Sequence, residues 1–143
     1  MRQRFLNIAM VALVAAIATG CTHNNGDIGR WFGLWRVVCI TVNGSNNGNY
    51  TGNIFFAFQS TTFEQKKVND DHGVAQMIGE WREDGDALII TFPYDRYYPI
   101  DGYMIGGGEE NRLTVSGGSD NKHLQLSLIT PAGSTVVYSL EKY

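Results

Sequence analysis

The strongest constraint on the fold is a two-residue alternation of apolar and polar side chains, which recurs in short runs along the chain. It is clearest at Leu124–Leu128, where Gln125 and Ser127 separate three leucines. This period places successive side chains on opposite faces, as in a β-strand that buries one face. We find no long run with the period of an amphipathic helix. The sequence therefore predicts an all-β domain.

Short turns rich in Gly, Asn and Asp separate these runs, and Asp84-Gly85 between two of them is a strong hairpin signal. Successive short connections favour antiparallel neighbours, so a sandwich or a closed barrel of eight or nine strands is expected. Closure into a barrel would also hide every strand edge. The predicted strands are 34–42, 50–58, 62–68, 75–81, 87–92, a weaker glycine-rich strand at 101–107, 113–115, 124–128 and 136–140.

Residues 1–20 are typical of a secretory signal rather than of the folded domain. Arg2 and Arg4 precede an apolar stretch, Phe5–Ile17, that is too short to span a bilayer as a stable helix. Three small residues then precede Cys21, an arrangement that resembles a bacterial lipoprotein signal, in which the cysteine is acylated. The first of the three is Ala18, where leucine is usual. The alternative is an ordinary secretory signal cut near the same position.

Acylation of Cys21 would tie the chain to a membrane through its N-terminal lipid, and we expect a location in the cell envelope, at the outer membrane. Residues 21–27 are polar and without period, so they are predicted to form a flexible tether before a single domain at 28–143. Cys39 would then be the one remaining thiol, with no internal disulfide. Its apolar neighbours, Val37–Ile40, predict that it is a buried core residue.

Composition excludes several classes of protein. A formal net charge of -3 without a basic run argues against nucleic acid as a partner, and 12% aromatic residues argue against disorder. The three histidines lack metal-ligand spacing, and Asp70-Asp71-His72 has the composition of a turn, so no metal and no cofactor are expected. We predict no enzymatic activity. A carboxylate pair of Glu109 or Glu110 with Glu80 or Glu83 is the weak alternative.

The start of the first strand, Gly33-Leu34-Trp35, resembles the lipocalin signature, in which a short turn (here 28–32) plugs the barrel base. The middle hairpin, 79–90, and the closing strand, 136–143, resemble the small lipocalin-like lipoproteins of Bacteroides-type bacteria, a family of unknown function. The resemblance implies an antiparallel up-and-down barrel of eight or nine strands over 28–143. It also implies that Lys142 packs on Trp35.

Two aromatic features are candidate binding sites. Gly52 and Gly79 would leave room inside the barrel for a small apolar or amphipathic ligand, although the same interior residues are also those of a packed core. The predicted ligand-binding residues are Trp35, Phe56, Met77, Trp81 and Tyr138. The predicted interaction rim, for a sugar or a partner protein, consists of Tyr94, Arg96, Tyr97 and Tyr98.

The sequence thus predicts a lipid-anchored, monomeric, non-enzymatic binding module. The alternative is an interaction or protease-inhibitor barrel that binds an envelope protein, with the segment Asn24–Phe32 as the plug that enters the partner.

Lipid attachment at Cys21 is directly testable in cells. Globomycin should cause the unprocessed precursor to accumulate, and Cys21→Ser should do the same, because the acylated thiol is required for cleavage. Cys39→Ser is the matched control and should mature normally. Mass spectrometry of the N-terminus identifies the processed form. Normal maturation of the Cys21→Ser variant would contradict the assignment.

Overall fold

The computed structural model describes residues 29–93, 104–106 and 110–143, and nine antiparallel strands lie in these ranges. The strands are β1 (Gly33–Val42), β2 (Ser45–Asn46), β3 (Ile54–Gln59), β4 (Thr62–Val68), β5 (Val74–Asp84), β6 (Ala87–Thr91), β7 (Glu110–Gly117), β8 (His123–Ile129) and β9 (Thr135–Lys142). No helix in this part of the chain has the length and apolarity needed to cross a bilayer.

The sheet closes on itself. Each strand from β3 to β9 pairs with its neighbour in sequence, β1 pairs with β3, and β1 also pairs with β9. Eight strands therefore form an up-and-down barrel, while the two-residue β2 folds back on the end of β1. This arrangement confirms the predicted all-β, antiparallel, lipocalin-like barrel.

The two ends of the barrel differ. The base is the end where β1 begins and where the β3–β4, β5–β6 and β7–β8 turns lie. The mouth is the opposite end, where β1 ends and the connection from β6 to β7 starts. Residues 43–53 and the β4–β5 and β8–β9 turns also belong to the mouth.

Most predicted strands are present, with shifted ends. The strand 62–68 has the predicted bounds, but β3 starts at Ile54 rather than at residue 50. The reason is that Tyr50 and Gly52 belong to the mouth loop, where Gly52 adopts a left-handed φ of 74°. The weaker strand predicted at 101–107 is wrong for residues 104–106, which are not in a strand; the remaining positions lie outside the described residues.

A β-bulge in β1 changes the face on which its side chains lie. The register with β9 shifts between Val37 and Cys39, so Val38 is the extra residue. Trp35 and Val37 point into the barrel before the bulge, and Ile40 does so after it. Cys39 is consequently only half-buried, with its Sγ 3.5 Å from the side-chain oxygen of Asn46. The prediction that Cys39 is a buried core residue is therefore wrong.

The turn before β1 seals the base. Trp31 is 1% exposed, and its indole N–H donates to the Glu83 carboxylate. The indole N–H of Trp35 donates to the Trp31 carbonyl over 2.8 Å. The Lys142 ammonium lies 5.2 Å from the centre of the Trp35 ring and completes the closure by a cation–π contact. This contact confirms the packing of Lys142 on Trp35 that the lipocalin resemblance implied.

Gly79 marks a point where two strands approach closely. A Cβ at Gly79 would lie 2.3 Å from the Thr91 carbonyl oxygen and 2.7 Å from the Phe92 ring. Phe92 is 3% exposed, and its ring contacts that of Phe63 with centroids 6.0 Å apart. The space above Gly79 is therefore filled by Phe92 and is not free for a ligand.

We expect Gly79→Ala to destabilise the barrel by about 1–3 kcal/mol, because the methyl group displaces backbone as well as a buried ring. Urea denaturation gives the change in the free energy of unfolding. Gly48→Ala is the control, since no atom lies within 4 Å of its Cβ position, and it should shift stability by less than about 0.5 kcal/mol. Equal stability of the two variants would contradict the close packing.

Candidate functional site

Part of the connection between β6 and β7 lies inside the barrel. Met104 is 2% exposed and Ile105 is 0% exposed, and both belong to the same apolar core as the strand residues. The three residues Met104–Gly106, which we call the inner segment, are not in a strand. The chain itself thus occupies interior space in the structure.

A buried amide side chain holds the inner segment. Gln65 of β4 is 0% exposed and is the one buried polar side chain among the described residues. Its Nε2 donates to the Ile105 carbonyl over 2.5 Å, and its Oε1 accepts from the Ile105 N–H over 3.1 Å. Met77 lies opposite Gln65, with its sulfur 3.4 Å from the same Nε2. Gln65 therefore satisfies both polar groups of one backbone residue within the core.

A second amide side chain contacts the end of the inner segment. Asn111 of β7 donates from Nδ2 to the Gly106 carbonyl over 2.8 Å. The same nitrogen lies 3.2 Å from the Ile90 carbonyl, which connects the inner segment to β6. Two side-chain amides from different strands thus bind consecutive backbone residues of the inner segment.

The predicted ligand-binding residues are brought together, but they pack against one another. Trp35, Phe56 and Tyr138 are at most 1% exposed, and Met77 is 5% exposed. The Phe56 ring contacts that of Tyr138, with centroids 5.6 Å apart. These residues line the barrel interior as predicted, without an open cavity between those rings.

Trp81 differs from the other four predicted residues. It is only partly buried and lies near the base, with its ring perpendicular to that of Phe58 at a centroid distance of 5.4 Å. Its indole N–H is buried and has no hydrogen-bond partner among the described residues. Trp81 is thus part of the base cluster with Trp31, not of the interior near the mouth.

An open cleft of about 460 Å³ lies at the mouth. Its outer wall is formed by the loop after β2, and its inner wall by the mouth ends of β3 and β4. Asparagine side chains predominate, together with one lysine and one aspartate. The lining residues are Asn47, Asn49, Tyr50, Thr51, Asn53, Ile54, Lys67, Asn69 and Asp70.

Two lining residues of the cleft, Ile54 and Lys67, lie on the inner face of the sheet. Ile54 pairs with Lys67, and the next inward pair is Phe56 with Gln65. Residues two apart on a strand are separated by about 7 Å. Gln65 and the inner segment that it binds therefore lie one inward position below the cleft.

Tyr50 fixes the wall of the cleft. Its hydroxyl donates to the Val37 carbonyl over 2.6 Å and accepts from the Ile54 N–H over 3.1 Å. Burial raises the pKa of the Tyr50 hydroxyl above its ordinary value, so this group stays protonated at neutral pH. The mouth loop is thereby joined to both β1 and β3.

Two other predicted sites lie outside the described residues. One is the lipid-attachment site Cys21, and the other is the interaction rim of Tyr94, Arg96, Tyr97 and Tyr98. Of the segment 24–32, residues 29–32 are described. The Trp31 side chain is buried in the base, while Phe32 is 45% exposed.

The acidic and histidine-containing motifs occupy turns and surfaces. Asp71 accepts the Gly73 N–H over 2.9 Å, which is the turn expected at this motif. Glu80 is exposed on the outside of β5, and Glu109 is not described. Within the described ranges, no three His, Cys, Asp or Glu residues are grouped to hold a metal.

The ionisable pair of Asp120 and His123 lies in the β7–β8 turn at the base. The Asp120 carboxylate accepts a hydrogen bond from His123, with 2.5 Å between Oδ2 and the ring Nδ1, and both side chains are exposed. This hydrogen bond raises the pKa of His123 and holds the pKa of Asp120 well below its usual range. The pair lies at the end of the barrel opposite the cleft, so it is not part of the candidate site.

Gln65 and the inner segment are not among the residues predicted from the sequence. Gln65 follows Phe63 by two residues, so alternation places it on the inner face, and a polar residue there is a usable signal. The signal for Met104-Ile105 is weaker, because two apolar residues among glycines also occur in a surface loop. The hydrogen bonding of Gln65 to Ile105, which is 40 residues away, was not visible in the sequence.

The structure is similar to solved lipocalin-like structures. A lipocalin-like protein from Bacteroides uniformis aligns with a TM-score of 0.60 at 18% identity, over 80% of this chain and 100% of the other. An uncharacterized protein from Bacteroides eggerthii aligns with a TM-score of 0.60 at 21% identity, over 79% and 99% of the two chains. Comparisons with protein-family models and with curated proteins found no match. The fold is therefore a lipocalin-like barrel.

The Gln65 hydrogen bonds should contribute measurably to stability. We expect Gln65→Leu to lower the free energy of unfolding by about 1–3 kcal/mol, because the buried N–H and C=O of Ile105 lose their partner. Urea denaturation measures the change. Gln76→Leu, at an exposed position on the neighbouring strand β5, should change stability by less than about 0.5 kcal/mol. A neutral Gln65→Leu variant would show that the inner segment is not held by this side chain.

Proposed function

We propose that this chain is an exported, lipid-anchored binding module for a small apolar or amphipathic ligand, and that it acts without catalysis. The proposal is supported by a lipocalin-like barrel with an aromatic interior and by an open cleft at one end of that barrel. Small-molecule sites are typically concave, with volumes of about 300–1,000 Å³.

The mouth cleft is the observation that carries this proposal. Its volume of about 460 Å³ suits a small ligand, and its mainly polar lining also includes Tyr50 and Ile54. Lys67 and the asparagines supply hydrogen-bond donors near the opening, while Ile54 leads to Phe56 and the aromatic interior. An amphipathic molecule would place a hydrogen-bond-accepting head near Lys67 and its apolar part toward the barrel axis.

Membrane anchoring is consistent with the position of this cleft. The first described residues, Gly29–Trp31, lie at the base, and Cys21 precedes them by a short polar stretch. A lipid on Cys21 would therefore attach the barrel by its base, with the mouth directed away from the attached end. In this arrangement the protein works in the cell envelope as a monomer, with its site open to the surrounding compartment.

Binding of a fluorescent amphiphile tests the assignment of the cleft. We use 8-anilinonaphthalene-1-sulfonate, which combines an apolar ring system with one anionic head. We expect saturable binding that Lys67→Ala weakens about tenfold, because a charge-assisted hydrogen bond to the head is lost. Fluorescence titration provides the dissociation constants.

Lys66→Ala is the matched control, since Lys66 is adjacent on β4 but faces outward beside Glu64. It removes the same charge and should leave the affinity unchanged. Equal loss in both variants would indicate only a general charge effect and would contradict a site in the cleft. Native mass spectrometry of the protein from its own host should further reveal a co-purified small molecule.

A further inference from the structure

We propose that Gln65 and Asn111 form a recognition site for a peptide backbone, and that the inner segment Met104–Gly106 occupies this site as an internal ligand. The external ligand would then be a short apolar peptide segment. This inference rests on the proposed binding function and names the ligand class, an apolar peptide, for the interior below the cleft.

The hydrogen-bonding pattern supports recognition of a peptide. The Gln65 amide donates to the Ile105 carbonyl and accepts from the Ile105 N–H, so it matches both polar groups of one backbone residue. The Asn111 amide donates to the next carbonyl, that of Gly106. Three polar groups of two consecutive backbone residues are thus bound by two side chains.

The residue type at position 65 is informative because an apolar side chain would fill the same place at a lower free-energy cost of burial. Burying an amide in an apolar interior is unfavourable unless its hydrogen bonds are made. Gln65 is fully buried among aromatic and aliphatic residues, and Ile105 supplies its hydrogen-bonding partners. The site is therefore selective for an occupant that carries a peptide group, and a purely apolar tail would leave Gln65 unsatisfied.

The occupant is held by side chains rather than by the sheet. Residues 104–106 are in no strand, and the hydrogen bonds that the described residues make to this backbone come from Gln65 and Asn111. Release of the inner segment breaks none of the strand pairings that close the barrel. Removing Met104 and Ile105 from the interior would open the space directly below the mouth cleft.

A peptide with the sequence of the inner segment tests the proposal in trans. The double variant Met104→Gly, Ile105→Gly of the full chain removes both internal side chains, and the probe is acetyl-Met-Ile-Gly-amide. By calorimetric titration we expect saturable binding to the variant. Binding to the parent should be at least about tenfold weaker, because its own tethered segment competes at a high effective concentration.

Two matched changes separate backbone recognition from simple apolar filling. N-methylation of the probe at isoleucine removes the N–H that Oε1 of Gln65 would accept, and it should weaken binding about tenfold. Adding Gln65→Leu to the double variant should have a similar effect on the unmodified probe. Equal affinity for the two probes, or no binding to a variant whose near-ultraviolet circular dichroism is native, would overturn the proposal.

If the double variant does not fold, hydrogen exchange in the unaltered chain tests whether the inner segment leaves the interior without unfolding of the barrel. The Ile105 amide should exchange at least about a hundredfold faster than the Leu126 amide in the middle of β8, because the inner segment opens without unfolding the barrel. Equal protection of the two amides would show a permanent core element and overturn the proposal. Lys67-dependent binding of 8-anilinonaphthalene-1-sulfonate without peptide binding would leave the proposed function intact and reject only the peptide.

Discussion

Pairing of β1 with β9 is the constraint on which the rest of the structure depends. It satisfies the last two strand edges and turns an open sheet into a barrel whose interior is sealed from water along its length. Closure leaves only the two ends to be covered. Trp31 covers the base, where Trp35 and Lys142 hold it, and the inner segment enters from the mouth.

The two end closures differ in chemistry, and this difference bears on function. The base is sealed by ring packing and by a cation–π contact between residues on strands or next to them. The mouth interior is sealed by a segment outside the sheet, bound through the amides of Gln65 and Asn111. Under the proposed function, this closure would exchange for a ligand that offers the same groups, and the polar cleft would be the path of entry.

Sequence patterns predicted the barrel better than the site. Alternation identified the strands, and the Gly33-Leu34-Trp35 start indicated the contact between Trp35 and Lys142. Cys39 was assigned to the core because its neighbours are apolar, but the bulge at Val38 places Ile40 rather than Cys39 on the inner face. The sequence left open whether the interior holds a ligand or a packed core, and the structure shows that Phe92 fills the space above Gly79. Both points depend on parts of the chain that are distant in sequence.

The sequence by itself determined the strand period, the turn positions and the inward set of aromatic residues, because each depends on neighbours along the chain. Only the tertiary structure decided what lies between those aromatic residues. The meeting of Gln65 with Ile105, 40 residues away, depends on closure of the barrel and on the path of the β6–β7 connection. A hydrogen bond between a side chain and a distant backbone leaves no periodic pattern in the sequence. For that reason the inner segment, and with it the nature of the site, became visible only in the folded chain.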